Sequence, residues 1–191
     1  ADTHAASPFP ELDAAITTLR SNAARWARTS PSERIELLKA IKDSTFAVAE
    51  EWATTAAEHK QIPADSPLVG EEWVSGPYAV LSACNLLIET LSGLSGRSFL
   101  KSLPKRERSN GQLAVTVTPH TVWDHLLFSG VTAEVWMKPG VTRDSLAAST
   151  ATSYATAPED REGRVALVLG AGNIAAIAPL DCFHELFSEH R

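Results

Sequence analysis

Four consecutive residues, Gly170-Ala171-Gly172-Asn173, follow the aliphatic run Val165-Ala166-Leu167-Val168-Leu169 and carry the clearest chemical signal of the 191-residue sequence. With Ala175 they fit a glycine-x-glycine-x-x-alanine turn, in which the missing Cβ permits positive φ and lets a ligand approach the main chain. A helix after such a turn offers free N–H groups to an anion. A dinucleotide-type ligand is therefore the expectation for Gly170, Ala171, Gly172 and Asn173. The same glycines would also serve a tight strand-to-helix turn that needs them for geometry alone, and the pattern leaves both uses open. The acidic ribose partner that the dinucleotide pattern places about 20 residues on, after a second strand, has no counterpart before Arg191.

Other reactive side chains carry less. Cys84 sits among Leu81, Leu87 and Ile88 and reads as a core thiol, because nothing near it would lower its pKa. Cys182 is close in sequence to Asn173 and His184, but a helix over Asp181-Cys182-Phe183-His184 puts the thiol and the imidazole on different faces. His184, His190, Asp181 and Glu185 match no metal-ligand spacing, so no metal is expected. His120, Trp123, Asp124 and His125 read as turn chemistry.

The elements that must position the turn are mostly helical. Leu12, Ile16, Leu19, Ala23 and Trp26 share one face of a helix over 11–28, and that face should pack inward. Ser30-Pro31-Ser32-Glu33 is a helix start, with Ser30 as cap, Pro31 in the first turn and Glu33 closing a capping box. The stripe Ile35, Leu38, Ile41, Thr45, Val48 and Trp52 carries one long helix to about Glu58, before Gln61-Ile62-Pro63 stops it. Ser66-Pro67 opens a further helical segment to about Ser95, which Gly76-Pro77 must kink or split.

After the polar stretch 96–110 the period changes. Leu113, Val115 and Val117 alternate with smaller residues and predict a strand with one buried face, and 131–138 predicts another. Residues 122–128 are apolar at both helical and strand spacing. The alanine- and serine-rich stretch 142–154 is expected to be helical. Arg164–Leu169 reads as a strand buried on both faces of a parallel sheet. Past the turn, an extended lead-in over 175–178 should precede a helix beginning near Pro179.

A formal net charge of −6 offers no overall positive field to nucleic acid or to an anionic membrane. The basic run Lys101, Lys105, Arg106 and Arg108 is read as a solvated loop. Two cysteines do not make a disulfide framework, which suits a reducing, cytoplasmic setting. The first ten residues lack the regions of a signal peptide, and no apolar run is read as long enough to span a bilayer.

Taken together, these residues resemble the aldehyde dehydrogenase superfamily. In that family a strand runs into a Pro-Trp-Asn-like turn, then a short lead-in and a helix starting near a proline, and Asn173 matches the asparagine. Trp26, Ser32-Glu33-Arg34 and Leu37-Leu38 resemble the family's N-terminal W…S-x-x-x-R-x-x-L-L pattern, and Glu58-His59-Lys60 the end of its second helix. The resemblance spans about residues 12–95 and 160–191. Gly-Ala-Gly-Asn in place of Pro-Trp-Asn, and a longer connection over 100–160, resemble a divergent branch that includes acyl-CoA reductases.

The resemblance implies an α/β fold: an N-terminal helical part (1–98), connecting strands and helix as a short antiparallel extension (99–160), and the first strand-turn-helix of a Rossmann-like core (161–191), truncated. It implies NAD or NADP as cofactor, an aldehyde or acyl substrate and a homo-oligomer, with neither nucleic acid nor membrane as partner. Asn173 would donate to the oxyanion formed when a cysteine thiolate attacks the carbonyl, and Gly170–Gly172 would line the cofactor near its nicotinamide end. The family's nucleophilic cysteine and its glutamate would lie beyond Arg191, so an N-terminal fragment, inactive alone, is the expectation. The competing expectations are a non-catalytic assembly or regulatory module, and an unrelated enzyme with a phosphate-binding glycine turn.

Overall fold

The computed structural model describes residues 8–170 and 172–191. Helix accounts for 56% of the residues and strand for 7%, so the chain is mixed α/β only in the broad sense of helices with a small antiparallel sheet. It divides into two compact units, one of Ala1–Leu91 with Thr156–Arg191 and one of Ser92–Ala155.

In the first unit, helix α1 spans Pro10–Arg28 and α2 spans Pro31–Ala47. The start of α2 follows from its sequence. Glu33 N–H donates to Ser30 Oγ at 3.3 Å, while Ser30 N–H and hydroxyl donate to Glu33 Oε2 at 2.9 and 2.6 Å. Those two donors, the hydroxyl foremost, hold the Glu33 carboxyl below its ordinary range. The expected single helix to Glu58 is instead two, because Val48 leaves helical geometry at ψ 7° before α3 spans Ala49–His59. Pro63 lies just beyond.

Helices α4 (Val69–Trp73) and α5 (Ala79–Ser92) are joined by a π-helical turn over Val74–Tyr78. Gly76 there has φ −111° and ψ −108°, the kink that Gly76-Pro77 demands, and Trp52 packs at 3.5 Å from where a Gly76 Cβ would be. Joined across this turn, Val69–Ser92 is one 24-residue run, long and apolar enough by length and composition to cross a membrane. The sequence expectation that no apolar run reaches this length does not hold for this segment. Glu72 within it is buried, with Lys60 Nζ at 2.7 Å from Oε1.

The inward face expected for α1 is only half realised. Ala23 and Ala27 are buried, whereas Leu12, Ile16 and Leu19 are exposed. The small residues are covered because the chain at 161–163 runs against them. Arg161, itself buried, donates to the carbonyls of Thr156 (3.1 Å) and Ala27 (3.4 Å), and Gly163 seats on the α1 backbone at Ala23 and Ala24. Nothing among the described residues covers the leucine and isoleucine turns before them.

The second unit holds strands β1 (Lys105–Glu107), β2 (Leu113–Thr118) and β3 (Ala133–Trp136), antiparallel in that order. The basic run is thus partly an edge strand, not a loop. Leu100, Leu113, Val115 and Leu146 form the unit's core. Ala114 is buried as well, against the one-faced expectation: it registers between Arg106 and Trp136, and the Arg108 guanidinium stacks 3.5 Å from the Trp136 ring centroid. Arg106 reaches over β2 to Glu134 with two bonds of 2.6 and 2.7 Å, which raises the Arg106 pKa and lowers that of Glu134.

Residues 122–127, ambiguous by period, form helix α6 (Val122–Leu127) because Thr121 and Asp124 make a second capping box. His120 and Thr121 N–H groups donate to Asp124 Oδ2 at 2.8 and 2.9 Å; the Thr121 bond foremost keeps this carboxyl below its usual range. The helix expected over 142–154 is not formed: turns lead to a short 3-10 segment at Thr152–Ala155. Ser149 and Thr150 hydroxyls bond back to the carbonyls of Ser145 and Leu146 at 2.9 and 2.8 Å. Arg97 takes the carbonyls of Thr150 and Ala151, and Ala151 sits at φ 52°.

Candidate functional site

The aliphatic run before the turn is not a strand, because no neighbouring strand among the described residues offers it a hydrogen-bond ladder. Its burial still alternates: Ala166 and Val168 are half-buried, while Leu167 and Leu169 are 85% and 82% exposed.

At the turn, Gly170, Gly172 and Asn173 are all exposed, and Ala171 lies outside the described residues. Gly170 does not have a positive φ, so the left-handed backbone allowed by the sequence is not used there. The two have different reasons to lack a side chain. A Cβ on Gly170 would come within 3.1 Å of the Ala178 Cβ, so this glycine lets the following helix close on the turn. A Cβ on Gly172 would meet nothing within 4 Å, which leaves this side open to a ligand. Asn173 makes no hydrogen bond with the described residues, and its amide is available to an external acceptor.

Helix α7 spans Ile177–Phe183, two residues earlier than expected, and continues as a π-helical turn over His184–Ser188. Pro179 falls inside the first turn, where its missing N–H is one that would have no helical partner. Ile174–Ala176 still separate the glycines from the helix start, so the turn is not a phosphate cradle on a helix N-terminus.

A cavity of about 910 Å³ lies in the same unit, walled by Leu19, Trp26 and Leu37 on the α1–α2 side and by Val165, Ala166 and Val168 of the extended run. Cys182, Glu185 and Arg191 also line it; Asn173 does not. A shallower groove of about 530 Å³ runs along α3 past Trp52, Thr55 and His59 to Ala175. Cys182 is exposed, His184 does not share its cavity, and no cluster of three or more metal-ligating side chains exists among the described residues.

Cys84 is fully buried, and burial pushes its thiol pKa up, against a weaker opposing effect of Lys42. The native chain is therefore expected to take one equivalent of a thiol-alkylating reagent at Cys182 and the second only on unfolding. Intact-mass measurement finding Cys84 labelled in the native state would contradict this burial.

Sequence reading did not identify the residues that hold this region in place. Arg34, fully buried, donates to the carbonyls of Leu186 (2.7 Å), Trp26 (2.9 Å) and Thr29 (3.3 Å), with its guanidinium 4.5 Å from the Trp26 ring centroid. Trp26 and Phe187 meet edge to face at 5.8 Å. Arg34 was singled out only within a family-like pattern, and Gly163 and Arg161 carried no local signal. Compared with protein-family models, curated proteins and solved structures, the chain matches none.

Proposed function

We propose that this chain is the N-terminal part of an NAD(P)-dependent oxidoreductase similar to aldehyde dehydrogenases, with a Rossmann-like core whose first strand is the run 165–169. The observation that carries the reading is the exposed amide of Asn173, without a hydrogen-bond partner among the described residues, after that run and beside the open position of Gly172. The residues fit a dinucleotide in part: Gly172 and Asn173 leave room for its nicotinamide end, whereas Gly170 serves the packing of α7. When bound, the nicotinamide would accept hydride from the substrate carbon.

In this reading Asn173 donates its side-chain N–H to the oxygen of the aldehyde or acyl group as negative charge develops there. Cys84 is too buried to be the attacking thiol, and Cys182 lines a cavity that excludes Asn173. The nucleophile and the general base are therefore assigned to residues outside this chain. In the full-length protein, Asn173→Ala is expected to lower aldehyde-dependent NAD(P)H formation by about a hundredfold in kcat, with cofactor KM little changed. Turnover that ignores this substitution, or no NAD(P)-linked activity on aldehydes or acyl thioesters, would refute the reading.

A second reading, an assembly module that forms a homo-oligomer, is favoured by the two open edges of the three-stranded sheet and by exposed Val135 and Trp136 on β3. Light scattering on the eluting protein tests it: a dimer or larger is expected, and a monomer at all concentrations removes it.

A further inference from the structure

Helix α6 buries none of its residues. Val122, Trp123, Leu126 and Leu127 are 80%, 66%, 67% and 57% exposed, and at positions i, i+1, i+4 and i+5 they share one face of the helix. His125 lies on the other side. Asp124 is turned back into the cap, where backbone N–H groups occupy its carboxylate. The helix is thus held by its capping box and presents a rigid apolar face containing a tryptophan to solvent. Such a face is what the apolar side of a helix lying in a lipid interface presents.

Charge in this unit points the same way. Ser92–Ala155 carries seven basic residues against Glu107, Asp124, Glu134 and Asp144, a formal net charge of +3 in a chain whose total is −6. The remaining residues thus carry −9, and the whole-chain value conceals a positive unit. Arg97 and Arg143 are held by carbonyls, which do not neutralise them, and Lys101 and Lys138 make no ion pair with the described residues.

We propose that Ser92–Ala155 is a membrane-docking unit, in which the apolar face of α6 enters the headgroup region of an anionic bilayer while the unit's free cations engage its lipids. This departs from the expectation of no membrane partner, whose charge argument took the chain as a whole. It is independent of the dehydrogenase reading, since docking requires neither cofactor nor turnover.

The test is cosedimentation of the chain with phosphatidylcholine vesicles, with and without phosphatidylserine. Binding is expected to the serine-containing vesicles, weakened by salt, and reduced about tenfold or more by Leu126→Glu. Because α6 buries nothing, that variant should keep the native circular dichroism; Trp123→Ser is the second probe. Joint Lys101→Glu and Lys138→Glu should weaken binding to the anionic vesicles only. Failure of the unsubstituted chain to pellet, or unchanged binding of Leu126→Glu, overturns the proposal. So does a dimer that Leu126→Glu dissociates in a chain indifferent to vesicles, which would make this face a protein interface.

Discussion

Replacing Arg34 with alanine is expected to lower the free energy of unfolding by about 3 kcal/mol, because it removes a fully buried cation whose hydrogen bonds to carbonyls are worth roughly 1.5–3 kcal/mol each. The guanidinium gathers carbonyls from three places: Trp26 near the end of α1, Thr29 just past it, and Leu186 in the C-terminal helical turn. A cation beside the last carbonyls of α1 also opposes the negative end of that helix. Alanine would take the donor from the Leu186 and Thr29 oxygens, leave the Trp26 oxygen with only the Thr29 N–H at 3.0 Å, and open a void beside Trp26. Lysine would keep the charge but not the planar fork that reaches three acceptors, so Arg34→Lys should recover only part of the loss. Urea denaturation of both variants measures this. A shift below about 1 kcal/mol for Arg34→Ala would mean that the cluster is not under the tension of burial assigned to it.

The second large effect is expected at Gly163. A Cβ there would fall on the backbone of α1 at Ala23 and Ala24, where no side chain can swing aside. Gly163→Val should therefore cost about 3 kcal/mol, at the upper end of ordinary overpacking, or lift the segment 161–169 off the helix. Limited trypsin digestion separates the two results, because Arg161 and Arg164 flank the glycine. Detachment predicts fast cleavage there with the α1–α3 helices still folded, and global loss predicts a lower urea midpoint. A variant that matches the parent in both measurements would show that the close approach is not required.

Gly163 lies where the chain returns to α1 after Ser92–Ala155, and that return decides what the site can be. With Arg161 and Gly163 fixed on Ala23–Ala27, the run 165–169 leads from α1 to Gly172 and Asn173, which are exposed. The same placement exposes Leu167, Leu169 and the Leu12–Ile16–Leu19 stripe of α1, apolar area that the dehydrogenase reading covers with further strands and helices.

Local features were legible in the sequence because their causes are local. The capping box of Ser30 and Glu33, the kink at Gly76-Pro77, and the strands β2 and β3 each follow from residues within a few positions of one another. Period alone left α6 undecided, and only the side-chain bonds of Thr121 and Asp124 chose helix. The helix expected over 142–154 failed because Arg97, some fifty residues earlier in the chain, takes the carbonyls of Thr150 and Ala151.

Which faces are covered was decided by tertiary structure. The stripe on α1 has the right period, but burial needs a partner, and the segment at 161–163 supplies one only for Ala23 and Ala27. A strand likewise needs a neighbour: the run 165–169 has the composition of one and lacks the ladder. The chain by itself thus determined its helices, its turns and the availability of an asparagine after a glycine turn. The positive charge of Ser92–Ala155 can be counted from the sequence, and the fold decided that this stretch is a unit of its own; that Gly170 serves packing while Gly172 stays open was decided by contacts between elements, which set burial.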